Sequence, residues 1–158
     1  MKTHILTHGN IRSQTDLSLF IDIIYNNFIE LKNISKLMHN KEDIEKNLRS
    51  TNSIIIIIMN DSNKMVGFLT SNLIILEDRR KVLYISYVYV AGSERNKMIG
   101  STLIKEAEAQ AIKLNTDGIM LIFDTHKSNL VHFYEARGYM LDINLRRYER
   151  NDVFYKTL

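Results

Sequence analysis

The sequence predicts an α/β fold, in which a mixed, mostly antiparallel sheet of about seven strands is flanked by about four helices. Apolar residues recur with helical spacing in some segments and form short β-branched runs in others. Three strand-like runs follow one another directly, and a later strand, helix and strand succeed one another as in a parallel crossover. For 158 residues we expect one domain, 1–158, that buries about 70% of the surface of its unfolded chain.

The first half begins with a short predicted strand, Thr3 to Thr7. Apolar residues then keep helical spacing from Leu17 to Leu31, which predicts an amphipathic helix. A shorter helix is predicted from Lys41 to Arg49. Asn40 can cap this helix, and two acidic residues in its first turn suit the helix dipole.

Three strands come next and predict an antiparallel meander. The β-branched run from Ser53 to Met59 is typical of a strand buried on both faces. Turn-forming residues separate it from a second strand, Met65 to Leu76, and a charged turn precedes the third, Val82 to Val90.

The second half alternates helix and strand. One helix carries a single apolar stripe made of Leu103, Ile104, Ala107, Ala111 and Leu114. The remaining predicted elements are a buried strand from Ile119 to Phe123, a short helix from Ser128 or Asn129 through Ala136, and two strands, Tyr139 to Leu145 and Val153 to Thr157. Gly138 follows the short helix at the position where a left-handed glycine commonly ends a helix.

The stretch from Tyr87 to Leu103 carries the strongest functional signal. An apolar strand runs into a short basic loop that ends at Gly100 and opens onto a helix. The first N–H groups of a helix have no intrahelical partner, and the dipole adds positive potential there, so this order builds an anion site suited to a pyrophosphate. An ordinary strand-to-helix turn is the alternative.

Two motifs make the chain resemble the GNAT-type N-acetyltransferases. Arg95 to Gly100 fills the family's phosphate loop, Q/R-x-x-G-x-G/A, with the expected first and last residues. Asn129 to Tyr139 matches the second signature, an Asn, a Tyr five residues later, and then a Gly–aromatic pair. The resemblance implies a GNAT-like acyl-CoA N-acyltransferase fold and transfer of acetyl from the co-substrate acetyl-CoA to a primary amine.

The resemblance also implies roles for individual residues. Tyr134 corresponds to the general acid that protonates the departing CoA thiolate, and the matching of a phenol pKa near 10 to a thiol pKa near 8.5 makes this reasonable. Tyr134 could instead be a core residue beside Phe133 with its hydroxyl merely satisfied. The implied cofactor-binding residues are Val88, Tyr89, Val90, Arg95, Asn96, Lys97, Met98, Ile99, Gly100, Ser101 and Asn129. Asn129 would contact the pantetheine arm, or alternatively cap a helix.

One residue of the loop departs from the family pattern, and a second is an unfavourable neighbour for phosphate. Met98 stands where the family usually has glycine. Its side chain must turn away from the pyrophosphate, and a positive φ would cost about 1 kcal/mol. Glu94 is a poor neighbour for phosphate unless it points to solvent.

No general base can be assigned from the sequence. The third meander strand contains no carboxylate, and Glu30, Glu77, Asp78 and Asp124 are unplaced candidates. A water chain ending at a tyrosine hydroxyl and an acceptor amine of low pKa remain open. The segment from Glu30 to Asn40 is expected, together with the two N-terminal helices, to line the binding site of the acceptor amine.

The composition of the chain limits the cofactors, the compartment and the partners that we expect for it. The chain has no cysteine, a net charge of +3 and a pI near 9.0, and its histidines lack metal-ligand spacing, so no metal is expected. No signal peptide is seen, and the longest apolar run, Ile54 to Met59, is too short to span a membrane. We expect a cytoplasmic monomer or homodimer acting on an amine acceptor, without membrane or nucleic-acid partners.

Two other functions fit the sequence less well. A non-catalytic acyl-CoA-binding module, or degenerate family member, is suggested by Met98 and the missing base. A small basic nucleic-acid binder is suggested by the positive charge, but the basic residues are scattered along the chain.

Overall fold

The structure, a computed structural model, describes residues 1–7, 18, 20–26, 41–95, 97–145 and 152–158. Its elements are, in chain order, β1 (Lys2–Thr7), α1 (20–26), α2 (Lys41–Arg49), β2 (Ser53–Met59), β3 (Met65–Ile75), β4 (Lys81–Val90), α3 (Ile99–Lys113), β5 (Gly118–Ile122), α4 (Ser128–Glu135), β6 (Met140–Leu141) and β7 (Val153–Thr157). In these residues no helix is long and apolar enough to cross a membrane.

The strands form one sheet in the order β1-β2-β3-β4-β5-β7-β6. Every neighbouring pair is antiparallel except β4 and β5, which are parallel and joined through α3. The predicted fold class, a mixed and mostly antiparallel sheet of seven strands with flanking helices, is therefore confirmed.

The isoleucine run of β2 is buried on both faces, as its sequence predicts. Ile54, Ile56 and Ile58 belong to the core that α3 covers. Ile55 and Ile57 belong to a second core on the opposite face, together with residues of α1 and α2. Burial on both faces explains why the run has no polar residues at alternate positions.

The N-terminus of α3 sits directly on β3 because Gly67 lacks a side chain. A methyl group on Gly67 would lie 2.8 Å from Cγ2 of Ile99 and 3.0 Å from the carbonyl oxygen of Tyr89. Ile99, the first residue of α3, is fully buried at this contact. The close approach thus fixes the start of the helix against the middle of the sheet.

Strands β4 and β5 pair over four of the ten residues of β4. Val82–Ile85 pair with Gly118–Leu121, and no pairing is recorded beyond Ile85 and Leu121. At the same point the register with β3 shifts between Thr70 and Ser71, which leaves Ser86 as an extra residue in β4. Such a bulge bends its strand. Beyond Ile85 the edge of β4 that faces away from β3 has no recorded strand partner among the described residues, and we call the space beside this edge the cleft.

The structure shortens one predicted strand. Tyr139 to Leu145 was predicted as a strand, but β6 contains Met140–Leu141 alone. Asp142 ends it, because its Oδ1 accepts hydrogen bonds from the backbone N–H groups of Asn144 (2.9 Å) and Leu145 (3.1 Å) and so closes a turn.

The helix predicted from Leu17 to Leu31 is seen at residues 18 and 20–26, and its remaining residues lie outside the described part. The segment from Glu30 to Asn40, predicted to line the binding site of the acceptor amine, also lies outside the described residues. Gly138 adopts the left-handed conformation expected of it, with φ +83°.

Candidate active site

The loop between β4 and α3 ends in a left-handed residue. A short 3-10 turn, Gly92–Glu94, follows β4 and leads to Arg95 in an extended conformation. Asn96 lies outside the described residues. Met98 then caps α3 with φ 62° and ψ 8°, and its side chain is 74% exposed. The position thus needs the positive φ anticipated for it, and the methionine side chain turns to solvent.

The first N–H groups of α3 are open. Met98 makes no capping hydrogen bond through its side chain. In the described part of the chain, no carbonyl accepts from the N–H groups of Ile99, Gly100 or Ser101, and the first bond of the helix runs from Thr102 N to Met98 O (2.9 Å). Three unpaired donors and the helix dipole therefore converge at one point.

The charges of the loop divide into paired and exposed groups. We call the three open N–H groups of Ile99, Gly100 and Ser101 the cradle. Beside it, Lys97 Nζ donates to Glu94 Oε2 at 3.0 Å, so the two opposite charges offset each other. Arg95 is exposed. The concern that Glu94 would repel a phosphate is answered by this ion pair.

The backbone of β4 presents two residues toward the cleft. Ala91 N donates to Val66 O at 2.9 Å, and hydrogen-bonded pairs alternate along an antiparallel ladder. Tyr89, opposite Phe68, therefore faces β3 with its backbone groups, while Val88 and Val90 direct theirs to the edge that β5 has left. Of the three predicted residues, Tyr89 is the one unsuited to main-chain binding, and its ring stacks on Phe68 at 5.3 Å.

Three elements meet at Gly100. A methyl group there would lie 3.5 Å from Cζ of Phe133 and 3.8 Å from Cγ2 of Val90, both ordinary contacts. The end of β4, the first turn of α3 and the middle of α4 are thereby brought together at the mouth of the cleft.

Asn129 lies in the first turn of α4 and is exposed. The N-cap of α4 is Lys127, which makes no side-chain capping bond. The alternative interpretation of Asn129 as the helix cap is therefore wrong. No hydrogen bond of its side-chain amide is found among the described residues, which leaves that amide available to a ligand.

Tyr134 is buried in the core shared with Val88 and Val90. Its ring lies 4.7 Å from that of Phe123, the residue after β5, and 5.0 Å from that of Phe133. No partner for its hydroxyl is found among the described residues. No hydrogen bond therefore supports the alternative interpretation, in which the hydroxyl is simply satisfied within the core. Burial raises the pKa of Tyr134 to about 12, and the charge of Arg137 opposes this rise.

Arg137 joins α4 to the first turn of α3. Its Nη2 donates to Ser101 Oγ, and its Nη1 donates to the carbonyl oxygen of Phe133 at 2.5 Å. The guanidinium carbon lies 3.6 Å from the centre of the Phe133 ring, within cation–π range. Sequence analysis missed this residue. Its signal was a cation four residues after an aromatic residue inside the second motif.

A polar cavity of about 400 Å³ lies between α2 and strands β3 and β4. Ser86, the bulged residue, is part of its wall, so the cavity reaches the point where β4 leaves β5. Burial raises the pKa of Tyr87 above its usual value. The described residues of the wall include no carboxylate and no basic group. They are Asn47, Ser50, Asn52, Asn72, Leu73, Ile74, Tyr84, Ser86 and Tyr87.

Of the four carboxylates considered as bases, the three that the structure describes are not among the residues of this wall. Glu77 and Asp78 lie in the turn before β4, where Asp78 Oδ2 accepts from Arg80 Nε at 2.8 Å. Asp124 follows β5, and its Oδ1 accepts from His126 N at 3.1 Å. Glu30 lies outside the described residues.

Comparison with known proteins places the chain in a family. The model of the acetyltransferase (GNAT) family matches residues 21–139, a span that includes the open helix, the cleft and Tyr134. The chain belongs to this family.

Solved structures with the same fold include three acetyltransferases of distant sequence. The first is a GNAT acetyltransferase from Staphylococcus aureus Mu50, 17% identical, with a TM-score of 0.71 over 99% of both chains. The second is NAA60 of Arabidopsis thaliana in complex with a bisubstrate analogue, 12% identical, with a TM-score of 0.68 over 99% of this chain and 98% of that one. The third is an aminoglycoside acetyltransferase from an uncultured soil metagenomic sample, 22% identical, with a TM-score of 0.64 over 85% of each.

A nearer relative in sequence is YxbD of Bacillus subtilis (strain 168), an uncharacterized protein. It is 33% identical over 85 residues, which are 54% of this chain and 49% of the relative. The chain thus spans about half the length of the curated relative that it matches.

Proposed function

We propose that the protein is an N-acetyltransferase that moves acetyl from acetyl-CoA to a primary amine by direct attack in a ternary complex. One observation supports this above the others. β4 stops pairing with β5 after Ile85 but stays paired with β3 as far as Val90, just before the loop to the open N-terminus of α3. The edge of β4 that β5 leaves therefore runs from the middle of the sheet toward the anion cradle.

The residues of the cradle fit the diphosphate of acetyl-CoA. The N–H groups of Ile99, Gly100 and Ser101 lack acceptors within the described chain, and the side chain of Met98 leaves the cradle free. Hydrogen bonds from such donors to a charged group are worth about 1.5–3 kcal/mol each. The pairing of Glu94 with Lys97 removes the opposing negative charge.

The cleft offers main-chain groups to the pantetheine arm. Val88 and Val90 direct their backbone donors and acceptors toward the edge vacated by β5, and the exposed amide of Asn129 lies at the start of α4. The arm carries amides that can pair with such groups as an added strand would. Acetyl-CoA itself supplies the activated thioester, and these residues orient it.

Tyr134 is the proposed proton donor to the sulfur. When the amine nitrogen bonds to the acetyl carbon, the carbon–sulfur bond breaks and the thiolate must gain a proton. A donor pKa near 12 against a thiol near 8.5 makes complete transfer unfavourable by about 5 kcal/mol. The same apolar surroundings raise the pKa of a thiol released there, which reduces the difference between the pKa of the thiol and that of Tyr134.

The polar cavity is the proposed acceptor site. It adjoins the bulge at Ser86, where the cleft reaches the middle of β4. Asn72 Oδ1 is buried in this region without a hydrogen-bond donor, and an N–H group of the acceptor would satisfy it. Because no carboxylate is among the described residues that line the cavity, water is the proposed acceptor of the proton that the amine loses before or as it attacks. An acceptor of low pKa is therefore favoured.

Thermal unfolding with acetyl-CoA and with CoA tests the binding half of this proposal. A ligand at a hundred times its dissociation constant should stabilise the protein by about 2.7 kcal/mol. Release of free thiol across a panel of amines tests the transfer half. Tyr134→Phe should lower kcat at least tenfold with little change in acetyl-CoA binding. Binding absent in the native chain would refute the proposal.

One observation favours a second candidate, a non-catalytic acyl-CoA-binding protein. The described wall of the cavity offers no general base, and Met98 is strained where glycine would not be. This candidate predicts stabilisation by CoA without thiol release from any amine, and no effect of Tyr134→Phe on any measured property beyond stability.

A further inference from the structure

Arg137 occupies a position that packing alone does not explain. Its guanidinium is half-buried, lies over the Phe133 ring at 3.6 Å, and donates to the Phe133 carbonyl oxygen and to Ser101 Oγ. Neither partner carries a charge. In the described part of the chain no carboxylate forms an ion pair with Arg137.

The other cations near the cradle, among the described residues, are either paired with a carboxylate or exposed to solvent. Lys97 is paired with Glu94 at 3.0 Å, and Arg95 is exposed on the loop with no side-chain bond among the described residues. A half-buried guanidinium costs desolvation free energy that an anion would offset. The first turn of α3 already presents three open N–H groups at this place.

We propose that Arg137 is a binding and positioning residue for the diphosphate of the acyl donor, supplying from the turn after α4 a half-buried positive charge held by hydrogen bonds to Phe133 and Ser101. This inference rests on the proposed function. It assigns to the second motif a part in phosphate binding, in addition to its general acid.

The hydrogen bond to Ser101 explains how the positioning works. A serine hydroxyl that accepts from a guanidinium keeps its own hydrogen free to donate. Ser101 is the third residue of α3, so its hydroxyl and its open N–H lie on the same turn. Arg137 thereby fixes the direction of one donor and leaves its remaining N–H groups for the ligand.

The experiment compares binding of two probes, coenzyme A and pantetheine, to the native chain and to four variants. Pantetheine has the thiol arm but no diphosphate. Arg137→Gln should weaken coenzyme A about tenfold or more, the usual effect of losing a charge-assisted hydrogen bond, and leave pantetheine binding unchanged. Arg137→Lys should keep part of the affinity, and Ser101→Ala should weaken coenzyme A several-fold.

Arg49→Gln is the matched control. It removes the same charge from an exposed pair with Glu45 on α2, and coenzyme A should bind this variant as it binds the native chain. The dependence of coenzyme A affinity on salt should become shallower in Arg137→Gln, because one ionic contact is gone.

Each other result overturns the inference. Equal coenzyme A affinity in Arg137→Gln and Arg49→Gln would show that the charge is not used. Loss of both probes alike, with an unchanged salt dependence, would assign Arg137 to packing. If Arg137→Gln does not fold, full affinity in both Arg137→Lys and Ser101→Ala would likewise overturn it. Native protein that does not bind coenzyme A would refute the proposed function itself.

Discussion

Met98 shows how a single residue carries the strain of the candidate site. It holds φ 62°, a region that costs a non-glycine residue about 1–2 kcal/mol. Its side chain is exposed, so it recovers little of this cost by packing. The conformation is needed because it turns the chain from the loop into α3 with the first N–H groups facing outward.

Replacing Met98 by glycine should therefore stabilise the protein. Relief of the strain outweighs the greater freedom of glycine in the unfolded chain, and we expect a gain of about 0.5–1 kcal/mol. Urea unfolding of the variant measures this change. Met140→Gly is the control, because Met140 is equally exposed but lies in a strand, where glycine should destabilise. A loss of stability in Met98→Gly would show that the turn is unstrained.

Single residues were predictable where a local motif fixes them. The left-handed Gly138 followed from its position after a short helix, and the motif identified Met98 as the position where a positive φ would be costly. The contacts of Arg137 could not be predicted in this way, because its partner Ser101 is 36 positions away and no local periodicity connects the two residues. The two interpretations of Asn129 were separated by the structure alone, since a shift of two residues in the start of α4 decides which residue is the cap.

At the scale of elements, the placement of α3 on β3 depends on the absence of one side chain. Gly67 lies beneath Ile99, and its neighbours would be too close to an added methyl group. The same contact aligns the first turn of the helix with the end of β4. A change here acts on the fold and on the cradle together.

Gly67→Ala should destabilise the protein by about 1–3 kcal/mol, the usual cost of forcing an extra carbon into a packed core. It should also weaken coenzyme A binding, because Ile99 must move to accommodate the methyl group. Gly92→Ala is the matched control, since nothing lies within 4 Å of the added carbon there, and its stability should stay within about 0.5 kcal/mol of the native value. Urea unfolding of both variants decides, and equal stabilities would contradict this account of the packing.

Elements with one dominant periodicity were predictable, and those shaped by a side chain elsewhere were not. β2 was predicted with its observed bounds because the isoleucine run can satisfy burial on two faces. β6 was predicted too long because Asp142 closes a turn that its apolar neighbours do not reveal. The bulge at Ser86 left no signal in the sequence, although it lies where the cleft begins.

At the scale of the whole molecule, burial keeps several tyrosines in or against the core protonated. Burial raises the pKa of Tyr134 to about 12 and that of Tyr87 and Tyr139 above the ordinary range. In Tyr139 the nearby Glu108 adds to the rise, and in Tyr134 Arg137 opposes it. The core therefore depends on protonated phenols.

These shifts predict that the protein loses stability in alkali. A tyrosine in the unfolded chain releases its proton near pH 10, while the folded protein retains it to higher pH, so the folded state binds more protons in this range. Stability is therefore complete below about pH 10 and falls as the pH rises toward 12, by at most about 3 kcal/mol for Tyr134. Melting temperatures from pH 8 to 11.5, with tyrosinate absorbance followed in parallel, measure this. Tyr134→Phe should flatten the decline, and ionisation of all tyrosines at pH 10 in a chain that stays folded would contradict the burial on which the prediction depends.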